Sequence, residues 1–124
     1  MTTRFTRLAG FFGLLTPIFT LRLIFVSVAL PPWFNWHNNA LSDMGISSTA
    51  SLFNGTSLIG GVFYLVFTIG FLRWQSMSSR LAKIAAVFLL ARAVGLMFVG
   101  IFPEDTGHIH YVAAVTHFLA TPLA

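Results

Sequence analysis

The run Gly100-Ile101-Phe102-Pro103-Glu104-Asp105-Thr106-Gly107-His108-Ile109-His110, continued to His117, holds two of the chain's three carboxylates and three of its four histidines. Carboxylates and imidazoles move protons, ligate metals and pair with cations. The remaining carboxylate, Asp43, stands in Leu41-Ser42-Asp43-Met44-Gly45. A metal site would draw on His108 or His110 together with Glu104, Asp105 or Asp43. His110 and His117 cannot share one ion, because seven residues of helix separate them by roughly 10.5 Å, against a ligand distance of about 2.1 Å. None of these spacings matches an established metal motif, so no metal is committed to as cofactor. The structural alternative is that Glu104 and Asp105 cap the helix that follows, where negative charge is favourable.

Other chemistries find less material. Ser42, Asp43 and a loop histidine have the residue types of a nucleophilic triad, but no strand–elbow–helix pattern surrounds the serine. There is no glycine-rich phosphate loop and no dinucleotide fingerprint. With no cysteine in the sequence, disulfides, thiolate metal sites and thiol nucleophiles are excluded.

The elements that must position these groups belong in lipid. The chain has 124 residues, 56% of them hydrophobic and only 8% charged, with a mean hydropathy of +0.84. A soluble fold of this length could not hide that much apolar surface. The net charge of +4 does not signal nucleic acid as a partner, since the basic residues are scattered singly and form no patch interleaved with aromatics. Apolar runs predict spans over about 8–30, 52–72, 84–102 and 111–124, an all-α integral membrane protein built as an antiparallel transmembrane helix bundle. The fourth run has about 14 residues, too few for a bilayer of roughly 30 Å, so the expectation is a piece of a longer protein. Ser27-Val28-Ala29 loosely resembles a signal-peptidase site, but Arg22 and the length of the first run favour a retained span.

Charge sets the orientation. Arg4, Arg7, Arg73, Arg80 and Lys83 fall at one end, and Asp43, Glu104 and Asp105 at the other. By the positive-inside rule the N-terminus is cytoplasmic in a cell-membrane protein, and loops 31–51 and 103–110 are extracytoplasmic. Arg22, Arg92 and His117 lie within spans, at depths of roughly 12, 15 and 10 Å from that outer end. An arginine there costs roughly 2.5–3.5 kcal/mol on insertion scales, so it should face a cavity or partner, or snorkel outward. Small and hydroxyl stripes give the helices inner faces: Asn54, Ser57, Gly61, Tyr64 and Thr68 on the second span, and Arg92 with Gly95 on the third. Such stripes are the usual material of helix contacts in lipid.

Leu41-Ser42-Asp43-Met44-Gly45, then Leu52-Phe53-Asn54, then Gly100-Ile101-Phe102-Pro103-Glu104-Asp105, then His110 and His117, in that order, resemble the family catalogued as domain of unknown function 998. These are multi-pass proteins common in archaea and bacteria. The resemblance implies a six-helix membrane protein of which this chain supplies four helices, and it brings no activity, substrate or cofactor. It singles out Ser42, Asp43, Asn54, Glu104 or Asp105, His110 and His117. A more distant similarity runs to the eukaryotic Frag1/DRAM/Sfk1 group.

Three readings follow. The first is an outward-facing polar pocket, built from Asp43, Asn54, Arg92, Glu104, Asp105, His110 and His117, that binds a lipid headgroup or small anion. The second is a metal-dependent hydrolase acting on lipid at the outer interface. The third is purely structural, with the acids paired to Arg22 and Arg92. Expected partners are membrane lipids, with a second copy of the chain or further C-terminal helices completing the assembly.

Overall fold

The computed structural model describes residues 3–75 and 79–123. Four helices follow one another, α1 (Arg4–Ala29), α2 (Ala50–Trp74), α3 (Arg80–Ile101) and α4 (His108–Ala120). The described residues contain no strand. The result is an all-α antiparallel membrane bundle in which α1, α2 and α3 are each long and apolar enough to cross a bilayer.

Capping accounts for helix starts that lie outside the apolar runs. α1 begins at Arg4 because the Thr3 hydroxyl accepts from the Thr6 amide at 3.3 Å. α3 begins at Arg80 because Ser79 accepts from the Ala82 amide at 3.0 Å. Each cap satisfies an amide that the first turn leaves open. The middle of the expected 73–83 loop, residues 76–78, and the last residue of the expected fourth span lie outside the described residues.

α3 stops one residue before Phe102-Pro103, where proline removes a donor and restricts the residue before it. Glu104–Thr106 then form a 3-10 turn of their own, and Gly107, at φ +68°, swings the chain into α4. Glycine adopts that backbone without a Cβ penalty. The expected capping of α4 by Glu104 and Asp105 is therefore corrected. The first turn of α4 contains no acid and receives no side-chain cap, because the turn at Gly107 separates the acids from the helix axis.

Each helix packs on its chain neighbour, α1 on α2, α2 on α3 and α3 on α4. The bundle is apolar outside and lined with small residues inside. Leu14, Phe25 and Leu81 are exposed, whereas Ala9, Thr20, Ser57, Thr68 and Ala93 are buried. Small residues let the backbones close up. A Cβ on Gly61 would meet the Met97 amide of α3 at 2.7 Å, and one on Gly95 the His117 amide of α4 at 2.9 Å. These crossings place the expected stripes through Gly61 and Gly95 at helix contacts.

At the basic end the Arg73 guanidinium lies over the Phe5 ring, 4.7 Å from its centroid. The acidic end is closed by the first loop. A short 3-10 helix, Leu41–Ile46, drives Met44 to complete burial among Val28 and Phe53. Asn54 Nδ2 donates to the Gly45 carbonyl at 2.8 Å, and Thr49 Oγ1 donates to the Ser27 carbonyl at 3.0 Å. The loop is thereby fixed to both α1 and α2.

Candidate functional site

A cavity of about 590 Å³ lies between the helices and runs up to the first loop. Its walls come from all four helices: Gly13, Thr16, Thr20 and Phe25 of α1, Ser57, Tyr64 and Phe67 of α2, Arg92 and Leu96 of α3, and His110, His117 and Phe118 of α4. Trp36, Leu41 and Ser42 of the first loop complete it.

Most hydroxyls on these walls are already committed. Thr16 Oγ1 donates to the Phe12 carbonyl, Thr20 Oγ1 to Thr16 and Ser57 Oγ to Phe53, at 2.6, 2.7 and 3.0 Å. A hydroxyl bonded back to its own helix has spent its only proton. Hydrogen-bonding capacity is therefore concentrated at Arg92, Tyr64 and the two histidines.

Arg92 is the centre of that group. Its Nη1 donates to Tyr64 Oη at 3.0 Å, and Cζ lies 4.4 Å from the centroid of the same ring. A guanidinium has five N–H groups, and a neutral phenol takes one here. Since Tyr64 Oη accepts from Arg92, its own proton remains to be donated. Two groups with protons to donate thus stand side by side on the cavity wall.

The histidines are oriented by α3. His110, which is buried, places Nδ1 2.7 Å from the Phe102 carbonyl, and His117 places Nδ1 3.0 Å from the Arg92 carbonyl. A carbonyl can only accept, so in both rings Nδ1 carries the proton and donates it. In the neutral ring Nε2 is then left as an acceptor. The seven-residue spacing that forbids a shared metal suits two parallel attachments to one neighbouring helix.

A second polar cluster sits at the acidic end. Asp43 Oδ2 accepts from Asn39 Nδ2 and from the Ala40 amide, both at 3.1 Å, which shapes the loop. Glu104 lies within hydrogen-bonding reach of Asp43 and Ser42. Burial pushes its carboxyl above the ordinary range, and the hydrogen bond and negative charge of Asp43 push it further the same way. Glu104 Oε2 is buried and meets no donor among the described residues, as does Asn54 Oδ1.

The seven expected pocket residues therefore separate. Arg92, His110 and His117 line the cavity, whereas Asp43, Asn54 and Glu104 organise the loops above it, and Asp105 is exposed. Ser42 and His110 belong to both regions, since both line the cavity and both lie close to Glu104.

Two of the alternatives find no support among the described residues. The ion pairs of the structural reading do not form among the described residues: Arg92 bonds Tyr64, Asp43 bonds the loop, and Arg22 is exposed on the outer face of α1. The metal set drawn from Asp43, Glu104, Asp105, His108 and His110 does not converge. Among the described residues no three such side chains are grouped to hold an ion, and His108 instead stacks on Tyr111 with ring centroids 6.5 Å apart.

Sequence reasoning treated Tyr64 only as part of a packing stripe. The signal that could have found its role is depth: Tyr64 lies 14 residues into α2, within reach of the layer that holds Arg92.

No curated protein and no solved structure matches the chain. A family model does match, over residues 14–124. That span takes in Arg92, Tyr64, both α4 histidines and the Asp43–Glu104 pair, so the chain, cavity and loop cluster included, belongs to the family described as protein of unknown function (DUF998).

Proposed function

We propose that the cavity is an outward-opening pocket that binds an anionic group, a lipid headgroup or a small anion, against Arg92 in the cell membrane. The supporting observation is the state of the Arg92 side chain. It is a permanent cation at membrane depth, and its one side-chain hydrogen-bond partner among the described residues is the neutral Tyr64 hydroxyl. A buried charge is stabilised by a counter-charge. An oxyanion beside Arg92 would supply it and accept from both Arg92 and Tyr64. In this reading the loops 31–51 and 103–110 face the extracytoplasmic side and the N-terminus faces the cytoplasm, as the segregation of Lys and Arg to one end supports.

The test is native mass spectrometry of the protein released gently from its own membrane, wild type beside Arg92→Gln. The wild type is expected to keep an anionic adduct and the variant to lose it. Removal of a charge-assisted bond of about 1.5–3 kcal/mol weakens binding by about 10- to 100-fold. A folded variant that keeps the same adduct to the same extent would overturn the proposal.

A further inference from the structure

We infer that the anion held at Arg92 carries hydroxyl groups: the ligand is a hydroxylated oxyanion, free or as the head of a lipid, whose O–H groups are taken up by His110 and His117. This rests on the anion-binding reading and adds the chemistry that must surround the charge.

Donors and acceptors are sorted on the cavity wall. Protons to give stand at Arg92 and Tyr64, side by side. Elsewhere the wall accepts. His110 and His117 each spend Nδ1 on a backbone carbonyl, of Phe102 and of Arg92, which leaves Nε2 of the neutral ring as an acceptor. Neither Nε2 has a hydrogen-bond partner among the described residues, and neither is sealed from space as Asn54 Oδ1 and Glu104 Oε2 are. Both rings line the cavity. His110 is only 7% exposed, so the cavity is the space that its unpartnered nitrogen meets. Thr16, Thr20 and Ser57 add hydroxyl oxygens that have given their proton to their own helix and keep only lone pairs. The Ser42 hydroxyl, within hydrogen-bonding reach of the Glu104 carboxyl, joins them at the first loop.

A bare anion would satisfy the donors and strip water from the acceptors, and an acceptor left dry and unpaired weakens binding. An oxyanion that also carries O–H groups answers both halves of the wall. An ammonium would donate as well, but it would bring a second cation into the chamber that already holds Arg92, where low dielectric magnifies their repulsion. Hydroxyl groups donate without adding charge.

The test compares phosphates that differ only in their hydroxyls. The protein, released gently from its membrane, is titrated with glycerol phosphate and with propyl phosphate. In a second arm, native mass spectrometry from phosphatidylcholine nanodiscs scores retention of phosphatidylglycerol against phosphatidylpropanol with the same acyl chains. Wild type is expected to prefer the hydroxylated member by about 3- to 10-fold, the worth of one neutral hydrogen bond. The arm that shows the preference tells a free ligand from a lipid head. His110→Asn and His117→Asn each keep an amide N–H near the Nδ1 position and carry nothing at Nε2, so the preference is expected to vanish in at least one of them. Equal affinity within both pairs, or a preference that survives in both variants, would overturn the inference. Tighter binding of aminoethyl phosphate than of glycerol phosphate would overturn it in favour of an ammonium. Phosphates that bind without preference, and are lost in Arg92→Gln, leave the anion pocket standing and end this inference alone. Absence of any binding that depends on Arg92 ends both.

Discussion

The Arg92 carbonyl accepts the Nδ1 proton of His117 at 3.0 Å, while the Arg92 side chain reaches back to Tyr64 at 3.0 Å. One residue of α3 thus holds α4 through its backbone and α2 through its guanidinium. The charge on the cavity wall thus belongs to a residue tied to both neighbouring helices.

The His117 attachment can be separated from its basicity. His117→Leu removes the donor and should lower stability by about 0.6–2 kcal/mol, the range of interhelical bonds in membranes. His117→Asn offers an amide N–H near the Nδ1 position and should recover most of that loss. Thermal unfolding in detergent, followed by circular dichroism, checks both.

The helix crossings predict a contrast among glycines. A side chain at Gly95 collides with backbone atoms of His117 and Ala113 rather than with a flexible tip, so Gly95→Leu should push α4 away and lower the unfolding temperature sharply. Gly10 has open space around its would-be Cβ. Gly10→Ala should stabilise by about 0.5–1 kcal/mol through helix propensity. A Gly95→Leu variant that unfolds with Gly10→Ala would show that the close approach does not exist.

Glu104 predicts a pH dependence. Its carboxyl is raised in the folded state by burial and by Asp43, so the folded protein holds a proton that the unfolded chain releases near its ordinary value of 4.5. Stability from this group is full below that value and is lost as pH rises through the folded-state pKa. Glu104→Gln mimics the protonated form and should flatten that decline, unfolding later than wild type at pH 8 and alongside it at pH 4. A steeper decline in the variant would contradict the assignment.

Met44 is fully buried with no exposed surface. Met44→Ala should cost about 2–5 kcal/mol by leaving a cavity under the first loop. The loop over the site should then become sensitive to limited proteolysis between Pro32 and Ser48, while α2 and α3 stay resistant.

The sequence made the large-scale arrangement legible through composition. Few charges, long apolar runs and opposite signs at opposite ends are averages over many residues, and a bilayer responds to such averages. Side-chain direction is a different matter. Arg22 and Arg92 look alike as lone arginines in apolar runs, yet one faces outward and the other lines the cavity. The helix phase relative to neighbours decides this, set for α3 by the crossings at Gly61 and Gly95 and for α1 by the approach of Thr20 and Ala9 to Gly60 and Gly70. Asp43 and Glu104 lie 61 positions apart in sequence, so the effect of one acid on the other depended on two loops meeting. The acids at 104 and 105 do not cap α4 because Gly107, whose left-handed φ is invisible in composition, turns the chain between them and the helix.

The buried hydroxyls of α1 have a mechanical meaning. Thr16, Thr20 and Ser27 all donate within their own helix, so along its middle α1 meets α2 without hydrogen bonds, through the Phe12 and Phe19 rings packed on Phe63 at 5.0 and 5.3 Å between centroids. Its polar links among the described residues are at the two extremities, Arg73 over Phe5 and Thr49 to Ser27. Between them lies Pro17, which has no amide proton to give the Gly13 carbonyl. The helix is thus tied by polar groups at both ends and by packed rings between them, around the one turn whose hydrogen bond Pro17 removes.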